Sequence, residues 1–325
     1  MTGVSTGIAR PLAKRLGSAK TKKLIALTSM ALPGAVWLLL LRYLPMFGIV
    51  IAFKEYRIYT KANTLLNNII HSKWVGLKNF SFLFTTTDSL RMIRNTVCYN
   101  LIWIFLGMVV AVTFAVLLSQ LPRQRIAKGY QTAMFFPYFL SWVVVSYFVF
   151  AFISPDKGLV TAGQRAAGVV MPTNWYTVPG YWPGLLTVAN LWKNAGYSSI
   201  LYLATITGID ASLYEAARID GATRPQQVRY ITLPQLRSMI LILLVMNLGR
   251  VFNSDFGLFY NVPMNSGSLF SVTQVIDTYV YRTYITTGNI GMSSAAGLFQ
   301  QAVGFVFMMT MNIVAKRIDP NGGLF

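Results

Sequence analysis

Long uncharged apolar runs alternate with short basic connectors along this chain. Six runs approach the roughly 20 apolar residues that a helix needs to cross a bilayer, at about 24–41, 97–118, 130–153, 184–206, 238–256 and 293–315. The apolar character resumes over 43–53 beyond Arg42, so the first span can outlast its charge-free part, and Pro33 or Pro45 can kink it. The fourth and fifth runs are interrupted by Lys193 and Arg250. The pattern predicts an all-α fold, a polytopic membrane bundle of about six transmembrane helices. Between Arg42 and Thr96 lies a segment rich in aromatics, including Phe47, Phe53, Tyr56, Tyr59 and Trp74, which reads as short interfacial helices.

Composition agrees with a membrane protein. Apolar residues make up 54% of the 325 and charged residues 11%, where a globular domain carries about 25% charge; the mean hydropathy is +0.52. The formal charge of +19, from 28 Lys and Arg against 9 Asp and Glu, would suit a nucleic acid, but such binders do not carry bilayer-length apolar runs. Its distribution explains it instead. With the N-terminus inside, fifteen basic residues fall in about 75 cytoplasmic residues, against ten in about 117 on the other side. The excess is therefore a topology signal and an attraction to the lipid bilayer, with both termini cytoplasmic and no nucleic-acid partner. Residues 1–23 form a basic cytoplasmic tail and 24–325 the transmembrane domain. The first apolar run begins more than 20 residues in, and no A-x-A-like site follows promptly, so it reads as an uncleaved anchor.

Several chemistries are excluded. One cysteine, Cys98, allows no internal disulfide, and one histidine, His71, leaves too few soft ligands for an ordinary zinc or haem site, so no metal is expected. No G-x-x-x-x-G-K-[ST] run is present, so any ATP used must bind another chain. Nucleophile-elbow and H-E-x-x-H patterns are missing as well, and no residue is assigned a catalytic role.

The most informative stretch is 208–237, GIDASLYEAARIDGATRPQQVRYITLPQLR from Gly208. It predicts two short helices joined at the Asp220-Gly221 turn, the first with Glu215 near its start, where the helix dipole favours an anion. Pro234 stands where the fifth span begins, a position that needs no amide donor. Small residues at Ala216, Ala217, Gly221 and Ala222 allow close approach by another surface, and Ile219, Val228, Ile231 and Leu233 add apolar adhesion. A self-packed loop is the alternative.

These residues resemble the EAA loop of permease subunits in binding-protein-dependent ABC importers, whose pattern is E-A-A-x-x-D-G-A, a gap, then I-x-L-P. Glu215, Ala216, Ala217, Asp220, Gly221, Ala222, Ile231, Leu233 and Pro234 fill it. Val228 stands where the family often has Phe, and Ser238 where it often has Pro. Further stretches, YLPMFGIVIAFKEY from Tyr43, SKWVGLKNF from Ser72, VIDTYVYRTYI from Val275 and GLFQQAVGF from Gly297, resemble the oligo- and polysaccharide-handling subset, most of all the first membrane subunit of alginate importers.

The resemblance implies the type I ABC importer permease fold in a bacterial cytoplasmic membrane. It also implies a translocation half-pathway for an oligosaccharide or polysaccharide, with the loop seated on an ATP-binding subunit. The implied partners are a second homologous permease, two ATP-binding subunits that hold ATP and Mg, and an extracytoplasmic solute-binding protein; this chain holds no cofactor. An acidic cargo has a separate physical motive. Lys193 and Arg250 lie within spans, where a charge costs at least about 2.5 kcal/mol unless paired or facing water. Asn194, Asn247, Trp192 and Tyr197 are the other candidates for the cargo path, as polar groups or stacking faces on spans. An internal ion pair with Asp255, or ordinary helix packing, is the competing explanation.

Two other classes are weighed. An ion-coupled secondary transporter or channel would hold carboxylates in the membrane, but here the acids lie in loops or near span ends. A membrane enzyme lacks its motif. The topology is testable with single cysteines in a Cys98-free variant. Those at Asn63, Thr173 and Asn265 will react with a membrane-impermeant thiol reagent outside intact cells, and one at Gln226 will not; labelling of Gln226 would invert the assignment.

Overall fold

A computed structural model describes residues 9–57, 64–85 and 87–319; tail residues 1–8, Tyr59, Lys61, Asn63 and the closing 320–325 lie outside it. Helix α1 (Ala9–Leu38) continues through a π turn, Leu39–Tyr43, into a 3-10 stretch, Leu44–Phe53, so apolar helix runs for 34 residues from Lys20 to Phe53. Side chains such as Leu24, Met30 and Trp37 are exposed all round it, as befits a rod facing lipid. Beyond it, strands Lys54–Glu55 and Lys73–Trp74 pair antiparallel, Lys54 opposite Trp74 and Glu55 opposite Lys73. The Asn79 amide donates to the Ala52 and Lys54 carbonyls at 2.9 Å, tying this interfacial segment to the end of the rod.

The bundle proper comprises α2 (Thr87–Ser119), α3 (Gln124–Phe135), α4 (Trp142–Ile153), α5 (Trp182–Thr207), the loop helices α6 (Ala211–Ile219) and α7 (Arg224–Gln227), α8 (Leu233–Leu248), α9 (Phe256–Asn261), α10 (Ile276–Thr287) and α11 (Ile290–Ile318). Helix α5 packs along the length of α2, and α8 touches both as well as α11. At the loop end Ala111, Ala115, Tyr202, Ile206 and Leu236 form one apolar cluster. Tyr99, Trp103, Trp182, Tyr176 and Phe259 form another at the far end, where aromatic rings meet at centroid distances near 5 Å.

Among the described residues four helices are long and apolar enough to span, five if the α3–α4 pair counts as one. Helix α5, 26 residues long, falls short on composition because Asn190, Lys193, Asn194, Ser198 and Ser199 interrupt it. The run expected as the third span, about 130–153, is two helices at 98°. A 3-10 turn, Phe136–Phe139, follows α3, Leu140 and Ser141 are extended, and the Ser141 hydroxyl caps α4 by accepting from the Val144 amide at 3.3 Å. Pro137 contributes by removing a donor at the break. The fifth span, expected over 238–256, is helical from Leu233 to Leu248 and then irregular until α9 begins at Phe256. The Asn100 amide fills that gap, donating to the Val251 carbonyl at 2.9 Å and the Asn253 carbonyl at 3.1 Å.

Gly196 sets how closely α5 meets α3. A Cβ there would lie 1.9 Å from the Met134 carbonyl oxygen, backbone that cannot swing aside, whereas Gly297 faces open space. Gly196→Ala will therefore destabilise the purified protein by about 1–3 kcal/mol, read as a lowered melting temperature in detergent. Gly297→Ala will leave it unchanged.

Candidate functional site

Two places hold the residues singled out above. The first is the elbow between α5 and α8. Asp210 caps α6 by accepting from the Ser212 amide at 2.9 Å, and that bond holds its carboxyl below the usual carboxylate range. Gly221, at φ +78°, ends α6 in the left-handed conformation that a side chain disfavours. The Ala222 amide returns to the Ala217 carbonyl at 2.8 Å, so the last turn is closed rather than frayed. Thr223 opens α7 with a capping box whose partner is Gln226, and the Gln227 amide donates to the Ala222 carbonyl at 3.0 Å. A π turn, Val228–Thr232, then leads into α8, with Pro234 in its first turn. Tyr214 and Thr232 join their hydroxyls at 3.0 Å, tying α6 back to the foot of α8.

This locally saturated elbow presents Glu215, Ala216 and Asp220 to the outside, and Ile219 at its tip is 87% exposed. Ala217, Ala222 and Ile231 are half-buried, and Leu233 is exposed. An exposed isoleucine beside small residues and a carboxylate is a surface prepared for a partner.

The second place is a cavity of about 320 Å³ between α2, α5 and α8, midway along the bundle. Asn100, Asn190, Asn194 and Asn247 line it with Tyr197, Ser198 and the edge of Trp103. Of the predicted path residues, Asn194, Asn247 and Tyr197 meet here. Asn194 gives its amide to the Asn190 carbonyl at 3.1 Å, and Tyr197 stacks on Tyr138 at 4.2 Å between centroids and 7° between planes. Amides and hydroxyls with an aromatic face can hydrogen-bond and stack against hydroxyl-rich molecules.

Lys193, Arg250 and Trp192 do not line that cavity. Lys193 is buried at 8% exposure and donates from Nζ to the Tyr138 carbonyl at 2.7 Å and the Leu140 carbonyl at 2.5 Å, the two acceptors flanking the break between α3 and α4. Its ammonium also lies 5.4 Å from the Tyr138 and Trp142 ring centroids. Trp192 is half exposed, and Arg250 is exposed three residues beyond Asn247; its backbone amide donates to the Asn247 carbonyl at 3.0 Å, while its guanidinium makes no hydrogen bond or ion pair with any described residue.

Sequence reasoning passed over Asp277. It lies in the first turn of α10, outside the spans, where one carboxylate oxygen accepts from the Ser254 amide at 2.8 Å and the Gln300 amide at 3.1 Å. Burial raises its pKa, and those bonds only partly oppose the rise. Its only sequence signal was an acid at a helix start.

Comparison with known proteins decides what this arrangement belongs to. Residues 104–320 match the family model described as binding-protein-dependent transport system inner membrane component. The chain belongs to this family. The permease is 35% identical over 298 residues to the polygalacturonan/rhamnogalacturonan transport system permease protein YteP of Bacillus subtilis, covering 90% of this chain and 88% of that one. It also superposes on a chain of a bacterial ABC transporter involved in the import of the acidic polysaccharide alginate, with TM-score 0.80 and 30% identity over 94% of this chain and 99% of the other. A second structure, the alginate transporter in complex with a periplasmic protein bound to an alginate pentasaccharide, gives TM-score 0.79 at 30% identity, covering 92% and 97%. The fold is thus the type I ABC importer permease fold, and the permease is a multi-pass membrane protein.

The Asp277 site predicts a pH dependence. A carboxyl whose folded pKa is raised above its unfolded value stabilises most at low pH and loses that contribution as pH rises through the folded pKa. Asp277→Asn keeps an oxygen for both donors and removes the ionisation. It will match or exceed the wild-type melting temperature at neutral pH and flatten its fall as pH rises above the ordinary aspartate range, whereas Asp277→Ala, which strands both donors, will cost about 1–3 kcal/mol.

Proposed function

We propose that this chain is one of two related permeases in an ATP-driven importer, carrying an oligosaccharide or polysaccharide with acidic units. The observation that carries the reading is the capped elbow at 208–237, built by short-range bonds and presenting Glu215 and Ile219 outward. It has the chemistry of a coupling element. A surface that must seat in a partner and transmit displacement gains from being closed in all its own hydrogen bonds, because none is then lost on docking. In this reading Glu215 meets a basic residue of an ATP-binding subunit, where ATP and Mg act, and both termini lie in the cytoplasm of a bacterial cell. A solute-binding protein delivers cargo at the opposite end, a reading supported by the alginate transporter structure, which is a complex with an alginate pentasaccharide-bound periplasmic protein.

The cargo class is supported by the named substrates of YteP and the alginate transporter. The cavity lined by Asn100, Asn190, Asn194, Asn247 and Tyr197 fits passage of hydroxyls through several weak contacts, which permits release. Arg250, exposed and three residues beyond Asn247, is the basic group free to favour a carboxylate.

The full complex reconstituted with its binding protein tests this. Cargo-loaded binding protein will stimulate vanadate-sensitive ATP hydrolysis. Glu215→Lys and Gly221→Val will abolish stimulated uptake while the chain still inserts, the first by reversing a charge at the docking face and the second by forcing a β-branched residue to φ +78°. Normal transport by both would reduce the elbow to internal packing. Arg250→Met will lower uptake of an acidic oligosaccharide more than that of a neutral one of equal length. Equal loss would move selectivity to the binding protein, and uptake driven by an ion gradient without the ATPase would favour a secondary transporter.

A further inference from the structure

Helix α5 connects two things that lie far apart. Its loop end runs directly into the elbow at Gly208, and fifteen residues earlier, about 22 Å along the helix axis, Lys193 grips the break in the third span. Three residues of one face make that grip. Gly196 lets the α5 backbone press against Met134 and Phe135, Tyr197 stacks on Tyr138, and Lys193 takes the carbonyls of Tyr138 and Leu140.

The contact continues past the break. Trp142, the first residue of α4, lies beside the Lys193 ammonium and donates its indole Nε1–H to Asp255 at 2.5 Å. The other oxygen of Asp255 accepts from the Gly257 amide at 3.1 Å and the Leu258 amide at 3.4 Å, so the same carboxylate caps α9. Gly257 has no room for a side chain, because a Cβ there would lie 2.5 Å from the Trp142 ring. The charge of this same Asp255 acts favourably on the Lys193 ammonium. Lys193, Trp142 and Asp255 thus join α5 to the two places where spans are interrupted, the α3–α4 bend and the gap between α8 and α9.

We propose that Lys193, Trp142 and Asp255 form a clasp through which displacement of the elbow, carried by α5, moves the α3–α4 bend and the start of α9 as one body. Lys193 is then a positioning residue for transport and not a cargo contact. This agrees with its burial, with the two backbone acceptors on its ammonium and with its place off the cavity lining. An ammonium with three donors can hold both carbonyls and still face a carboxylate; an apolar side chain of equal length fills the same volume and holds neither. The proposal rests on the coupling role of the elbow argued above.

The test uses the complete complex in proteoliposomes, with Glu215→Lys alongside as the control for the elbow. Lys193→Met is expected to assemble, to leave cargo binding by the solute-binding protein unchanged and to lower stimulated ATPase and uptake about tenfold, while Lys193→Arg retains at least about half. Trp142→Phe removes the donor of the Trp142–Asp255 bond, and Asp255→Asn leaves one acceptor oxygen where the carboxylate used two, so it cannot both hold Trp142 and cap α9; with the link between the two already cut in either single variant, their double variant will be no worse than the worse single one. A reporter separates transmission from mere packing. In a Cys98-free background, the labelling rate of Met264→Cys, just past α9, will change about threefold or more on vanadate trapping, and the change will vanish with Lys193→Met.

Wild-type stimulation and an intact reporter response in Lys193→Met would overturn the clasp, as would additive losses in the Trp142–Asp255 cycle. If Lys193→Met does not assemble, that cycle and the reporter response of Asp255→Asn decide, since neither Trp142→Phe nor Asp255→Asn strands a buried ammonium. Impaired Glu215→Lys with silent clasp variants sinks the clasp alone; a silent Glu215→Lys sinks the elbow reading itself.

Discussion

Hydrocarbon offers no water to an unpaired backbone group, and this constraint governs where the permease can interrupt its helices. Each break is met by a side chain from a distant element. At the bend between α3 and α4, Lys193 supplies the donor for two carbonyls. In the gap after α8, Asn100 takes the Val251 and Asn253 carbonyls. Without those donors the irregular segments would carry orphaned acceptors, each worth several kcal/mol in lipid. The same device recurs outside the spans, where Asn95 gives its amide to the Ser271 and Gln274 carbonyls at 3.1 Å near the start of α10.

The same polar residues shape the cavity. Helix α5 is too polar to face lipid all round; the α3–α4 break covers Lys193, the seam with α2 and α8 covers Tyr202, and Asn190 and Asn194 line the cavity that α8 borders. At the loop end, the cluster of Ala111, Ala115, Tyr202, Ile206 and Leu236 closes the seam by apolar contact. A polar cavity beside an apolar closure suits a passage that must open and shut, because apolar contacts separate without leaving unpaired donors.

The elbow obeys different rules. It projects beyond the spans, and its order comes from neighbours in sequence: Asp210 to Ser212, Ala222 to Ala217, Thr223 to Gln226. The Tyr214–Thr232 bond ties it to the foot of α8, and Arg237, at its end, donates to the Ile318 carbonyl at 2.7 Å. Such construction keeps its shape independent of how the spans move. That independence is what a lever requires.

For the same reason the elbow was partly legible in the sequence. The Asp220-Gly221 turn and Pro234 act within a few residues, so a helix on each side of the turn could be read from their spacing; but α6 starts at Ala211, which puts Glu215 beyond its first turn, and the second helix does not stop but runs through the π turn into α8. The approximate span positions were legible too, since hydrophobic length is a local property. What only the tertiary structure decided was the use of each intramembrane polar group. Lys193, Arg250, Asn194 and Asn247 look alike to a hydropathy reading, yet Lys193 is committed to carbonyls 53 and 55 residues away, while Asn194 and Asn247 face a cavity. The 98° bend was hidden likewise, because Pro137 and Ser141 permit a break, but its retention depends on α5 bringing Gly196 and Lys193 against it. A side chain's partner across the bundle is set by how helices pack, and no local pattern along the chain encodes that.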